Sequence, residues 1–284
     1  MPLILPHRSS VAALLALTLL SPAVAWSDAV EIDAAAIAWS DVAEIDARAI
    51  ALRAENSLRA DRTYMRARVT IRSPGRRERA IEFECWNDRA ERRSFVRILA
   101  PDSEVGVALL NLPPNLWRYE PELARAELIP PSALLKSWLG SDFATGDLID
   151  PFSDVENYEV EVLEIEGSSD GASEAELYVV HYKPLPVARA AWGKIVAWIE
   201  AESGAPLRRE FYGASGERIR TIQYSDVRSV AGRRVPHRWT AIPAGEKGRQ
   251  SILEIRDLRF EPAFDDAIFA TQNLEPVRDT HPDE

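Results

Sequence analysis

One cysteine and four histidines are all that 284 residues offer for thiol or metal chemistry. A lone Cys85 excludes an intramolecular disulfide. Its place in the Ile81, Phe83, Cys85 alternation predicts a small buried apolar group, not a nucleophile. His7 falls in a leader-like segment and His281 in the last few residues, which leaves His181 and His237. Neither belongs to a His-x-x-x-His pair and no Cys/His cluster accompanies them, so no metal site is expected. A Gly-x-Ser-x-Gly elbow and a phosphate-cradling glycine loop are also missing, so no catalytic residue and no cofactor is expected. The acidic run Asp142, Asp147, Asp150 and Asp154 lacks the spacing of a calcium loop and reads as helix capping in a solvated connection. Positive charge is outweighed, 34 Lys and Arg against 45 Asp and Glu for a net −11, which argues against nucleic acid and against adsorption to anionic lipid surfaces. Long apolar runs are lacking too: Val11 to Leu20 is about half of the ~20 residues that span a bilayer, so an integral membrane protein is not expected.

His7 and Arg8, the apolar run and then Ser-Pro-Ala-Val-Ala form a secretory signal pattern with cleavage after Ala25. The residue directly after that site is Trp26, not cysteine, so a soluble periplasmic protein without its own lipid anchor is expected. Residues 25–37 and 38–50 are near-copies, AWSDAVEIDAAAI and AWSDVAEIDARAI. At about 100° per residue, a 13-residue shift turns the helical face by roughly 220°, so only one copy can dock on a common surface. The second has Asp41 and Glu44 as a cap pair and Val42, Ile45, Ala49 and Leu52 as a stripe, predicting a helix from about Asp41 to Leu58. The expected organisation is a signal at 1–25, the duplication at 26–50, one domain at 51–274 and a disordered tail at 275–284.

From Met65 the period changes to two. Ala67, Val69 and Ile71 alternate with arginines and threonine, and Ser73-Pro74-Gly75-Arg76 has the composition of a tight turn. Similar alternation at Val160 and Val162, at Tyr178, Val180 and Tyr182, and at Leu253 and Ile255 marks an antiparallel sheet with one wet face. Between strands, Ser132 can cap a short helix ending at Gly140, with Leu134, Leu135, Trp138 and Leu139 as its apolar stripe. The fold class is therefore mainly β (α+β), an open curved sheet needing helical cover on its apolar face.

Several runs resemble the outer membrane lipoprotein-sorting family, the wider group around the carrier LolA. They are Val-Arg-x-Leu-Ala-Pro at 96–101, Leu-Trp-x-Tyr-x-Pro at 116–121, Gly-Ser-Asp-Phe at 140–143 with Asp147, Gly-Lys-Ile-Val-x-Trp-Ile at 193–199, Glu210-Phe211-Tyr212 and Tyr224-Ser225-Asp226-Val227. The resemblance implies an incomplete, strongly curved antiparallel β-barrel covered by the N-terminal helix and a short lid helix, with acyl chains held between them. It implies a non-enzymatic carrier for a lipid or lipoprotein acyl chain, working between an inner-membrane transporter and an outer-membrane acceptor. Companion of an inner-membrane lipid exporter carrying a non-protein lipid is the alternative. The candidate hydrophobic cavity residues are Trp117, Tyr119, Leu134, Leu135, Trp138, Leu139, Phe143, Trp198 and Trp239.

Overall fold

Thirteen strands form one sheet in which every neighbouring pair is antiparallel, in the order β6-β5-β4-β3-β2-β1-β13-β12-β11-β10-β9-β8-β7. The computed structural model describes residues 46–149, 154–168, 175–186 and 192–274, all within the unit Val42–Glu284. The expected signal at 1–25, the duplication up to residue 45 and the tail at 275–284 lie outside them. The first six strands, β1 (Arg62–Arg72), β2 (Arg79–Asp88), β3 (Arg93–Ala100), β4 (Ala108–Leu112), β5 (Asn115–Glu120) and β6 (Arg125–Ile129), make one meander. A second runs through β7 (Tyr158–Ser168), β8 (Ala175–Pro184), β9 (Lys194–Glu200), β10 (Pro206–Tyr212), β11 (Arg218–Val230), β12 (Arg233–Pro243) and β13 (Gln250–Phe260). Pairing of β13 with β1 joins the two meanders, and β6 and β7 remain as the two edges of an open half-barrel.

The alternation read from the sequence is the alternation of the sheet. Ala67, Phe83 and Ile98 face each other across β1, β2 and β3 and are at most 2% exposed. Their neighbours on the other face are charged: Arg66 opposes Glu84 and Arg68 opposes Glu82, and such cross-strand pairs hold register. The Ser73–Arg76 turn is present, with Arg76 N donating to the Ser73 carbonyl at 3.1 Å and Gly75 at φ +70°. Cys85 is fully buried, and burial pushes its thiol up to about 12, which leaves no thiolate for chemistry.

Helix α1 (Ala47–Leu58) begins at Asp46, whose side chain accepts from Ala49 N at 2.9 Å. Its buried face is Ile50, Ala51, Ala54 and Leu58, whereas Ala49 is exposed and Leu52 half-buried. This corrects the expected stripe: at about 100° per residue the buried face lies roughly 180° around the helix from it, set by the packing of the helix against β7 and β12. The cap pair Asp41 and Glu44 lies outside the described residues.

The connection between β6 and β7 crosses the concave face, and here the expected Ser132–Leu139 helix is replaced. A 3-10 turn, Pro131–Leu135, is followed by a tight hairpin in which Trp138 N donates to the Phe143 carbonyl and Thr145 N to the Lys136 carbonyl, both at 2.9 Å. Leu139 and Gly140 occupy its tip at φ +48° and +79°, so Gly140 serves a turn, not a helix end. Eight residues have little helical stability of their own, whereas the hairpin buries both Trp138 and Phe143 in the core. Two one-turn helices, α2 (Thr145–Ile149) and α3 (Asp154–Asn157), complete the cover.

Candidate functional site

Between α1, the connection and the concave face lies a cavity of about 550 Å³. Its apolar wall combines Leu52 and Leu58 of α1, Met65 and Leu116 of the sheet, Leu148 and Ile149 of α2, and Trp239 with Ile255 from the far strands. That volume lies within the roughly 300–1,000 Å³ of ordinary small-molecule sites. Register turns Met65 inward on a row with Cys85 of β2, Val96 of β3 and Leu109 of β4, which are buried in the core beside the cavity. Trp239 is held from behind by its indole N–H donating to the Pro236 carbonyl at 3.0 Å and by an edge contact with Tyr224 at 5.7 Å.

The connection is latched to the barrel by two ion pairs, one largely buried and one half-buried. Asp147 is gripped by Arg220 of β11 through two bonds of 2.5 and 2.7 Å, and it also accepts from Ala144 N at 2.7 Å. Arg220 is 4% exposed and stacks on the rings of Phe211 and Trp192 at 4.5 and 4.9 Å. Asp142 accepts from Arg249 at 2.7 Å and from the Ser251 hydroxyl at 2.6 Å. Donating to the Asp142 carboxylate raises the Arg249 pKa above its ordinary value. Asp142 and Asp147 are thus anchors in largely dry surroundings, which corrects the solvated connection expected for this acidic run; Asp150 lies outside the described residues. The Gly-Ser-Asp-Phe run and Asp147 are the structural clasp that closes the connection onto β11 and β13. Glu55 of α1, 5% exposed, accepts from Val155 N at 3.0 Å and so ties α1 to α3.

The candidate residues fall into three places. Leu134 and Trp239 line the cavity, and Trp138, Leu139 and Phe143 belong to the same apolar core beside it. Trp138 is 3% exposed and meets Phe83 edge-on at 4.9 Å. Leu135, in contrast, points outward at 54% exposure. Trp117 and Tyr119 do share one face, as expected, but it is the convex one: they join a second cluster with Phe95 and Leu110. The 3-10 turns Asp266–Phe269 and Thr271–Leu274 cover that cluster, pinned by Arg93 bound to Asp266 at 3.1 Å and lying over the Phe269 ring. Trp198 is also on the outer face, where its indole donates to Glu166 at 3.2 Å under the guanidinium of Arg208. The inward parity of β1 and β2 could have identified Met65 from sequence, but Leu148 and Ile149 carry no periodic signal.

Among the described residues no group of three or more His, Cys, Asp and Glu is placed to hold a metal ion, and no helix is long and apolar enough to cross a membrane. His181 meets Glu161 at 2.8 Å on edge strand β7, and His237 is buried with Nδ1 2.9 Å from the Val235 carbonyl.

Solved structures share this architecture. A LolA superfamily protein from Nitrosomonas europaea aligns at TM-score 0.69 and 21% identity, over 81% of this chain and 99% of its own. An outer membrane lipoprotein-sorting protein domain from Vibrio parahaemolyticus gives 0.69 and 19%, over 81% and 98%. A DUF1329 family protein from Desulfovibrio piger gives 0.70 and 18%, over 80% and 97%. No curated protein matches the chain. A family model bearing the description "Uncharacterized protein" matches residues 90–276. The chain belongs to that family, and its fold is the LolA-like half-barrel that its sequence resembles.

Proposed function

We propose that the chain is a periplasmic, non-enzymatic carrier that holds a lipid or lipoprotein acyl chain in the cavity beneath α1. The observation that supports this most is the cavity itself, a hollow with a largely apolar wall beside the packed core. Fifteen buried methylenes contribute about 12 kcal/mol at about 0.8 each. Association costs at the lower end, about 4 kcal/mol, leave an affinity near micromolar. Such an affinity suits a carrier that must also release its cargo to an acceptor.

The clasp at Asp142 and Asp147 keeps the Trp138 hairpin seated during loading, so the gate is the Pro131–Leu135 turn together with α1. Leu134 points into the cavity while Leu135 faces solvent, and the turn rests on α2 where Gly146 lies against the Leu134 carbonyl. A Cβ at Gly146 would stand 3.2 Å from that oxygen, which explains a glycine there.

A pyrene-labelled hexadecanoyl probe is expected to bind saturably at about micromolar Kd. Leu52→Trp, which fills the cavity from the half-buried side of α1, is expected to weaken it at least tenfold with an unchanged far-UV circular dichroism spectrum. Absence of saturable binding by the native protein overturns the reading. Location is checked separately: the Ala25 site makes Trp26 the expected first residue of protein recovered from the periplasm, and N-terminal sequencing that returns Met1 removes that part of the proposal.

A further inference from the structure

One cross-strand register on the concave face breaks the apolar pattern. Thr63, Asn87, Ser94 and Asn111 stand opposite one another on β1, β2, β3 and β4, and all four line the cavity. The next row inward is Met65, Cys85, Val96 and Leu109. Polar side chains on a buried sheet face are unfavourable unless something bonds to them. The Thr63 hydroxyl accepts from Ala60 N at 3.2 Å and the Ser94 hydroxyl donates to the Ile149 carbonyl at 2.8 Å, so one retains a proton to give and the other a lone pair. The amide oxygen of Asn87 is buried without a hydrogen-bond partner. The row thus offers both donors and an acceptor just inside the mouth of an apolar hollow.

Beyond the row, the mouth carries Arg48, Arg59, Arg89, Arg92 and Arg93 against the carboxylates Glu55, Asp88 and Glu156, with Asp88 paired to Arg93 at 2.8 Å. This is a local positive excess in a chain of net charge −11. Glu55 is committed to Val155 N and stands 3.9 Å from Arg89, whose nearer partner is the Asn56 amide oxygen at 2.9 Å. Arg48 donates to the Val155 carbonyl at 2.9 Å. Arg92 pairs with Glu156, both largely exposed at 67% and 57%, a surface contact that an incoming anion can replace. Guanidinium groups are suited to carboxylate and phosphate because they bond both in bidentate fashion.

We propose that the cavity selects an anionic amphiphile: acyl tail among the apolar side chains, linkage oxygens on the Thr63–Asn111 row, and a phosphate or carboxylate head at Arg48, Arg89 and Arg92. This rests on the carrier reading above and specifies the class of cargo. It also reconciles an acidic protein with an anionic ligand, because the attraction is local to the mouth and the overall charge is screened within about 10 Å at 0.1 M salt.

The test titrates the full mature protein with three pyrene-labelled probes: phosphatidylglycerol, hexadecanoic acid and uncharged diacylglycerol. Native protein is expected to bind both anionic probes at least tenfold more tightly than diacylglycerol, with the preference shrinking as salt rises. The tighter of the two identifies phosphate or carboxylate as the preferred head. Arg48→Gln/Arg89→Gln/Arg92→Gln, at positions whose side chains reach solvent, is expected to erase the preference while diacylglycerol affinity stays within twofold. Equal affinity of native protein for all three probes, or a preference that survives the triple variant, overturns the proposal but leaves the carrier reading standing. If no probe binds, the carrier reading fails and this proposal fails with it.

Discussion

Asp147→Asn is expected to lower stability by about 3–5 kcal/mol, measured as a shift of the urea midpoint at constant m-value. The amide keeps an oxygen to accept from Ala144 N, so the helix start survives, but Arg220 is left as a charge at 4% exposure with its carboxylate gone. The magnitude follows from that stranded charge and not from the pair's net worth, which burial largely offsets. The double variant Asp147→Asn/Arg220→Met is therefore expected to recover most of the loss, since methionine can pack between Phe211 and Trp192 without needing a partner. If the double variant is as unstable as the sum of the singles, the clasp is not one coupled unit.

Trp138→Ala is expected to cost about 3–5 kcal/mol, while Leu135→Ala, three residues away, changes stability by less than about 0.5. The first removes a ring that is 3% exposed and loses the edge contact with Phe83; the second trims a side chain 54% exposed. A thermal melt of each variant separates a hairpin built into the core from a lid that lies loosely on it. Comparable small losses for both would mean that the hairpin is the mobile element, and the gate would have to be moved from Pro131–Leu135 to Trp138.

Alternation made the sheet legible in sequence. Where charged and apolar residues exchange every second position, as along Met65–Arg72, parity alone assigns each side chain to a face. Legibility ended where both faces are apolar. Trp117 and Tyr119 gave a correct strand and a shared face, but nothing local reveals that Phe269 and Leu274, about 150 residues later, cover the convex side there. The connection failed for a related reason: apolar spacing over Leu134–Leu139 fits a helix, while the hairpin wins through partners far along the chain, Arg220 and Arg249. Leu148 and Ile149 became cavity wall through that same folding back, and no periodicity announces them.

The sheet stops one pairing short of closure. In a closed barrel, strand number and stagger fix the radius, and a wider interior requires ladder bonds to break. Here β6 and β7 share no ladder, so the half-barrel can uncurl by small changes in twist spread over twelve strand pairings, each remaining intact. Capacity then becomes an adjustable quantity, limited by how far α1 and the connection can separate while the clasp holds. On the carrier reading, cargoes of different girth are expected to be accommodated at the expense of side-chain packing alone, and amide protons in the ladders should exchange equally slowly with slender and bulky lipids bound.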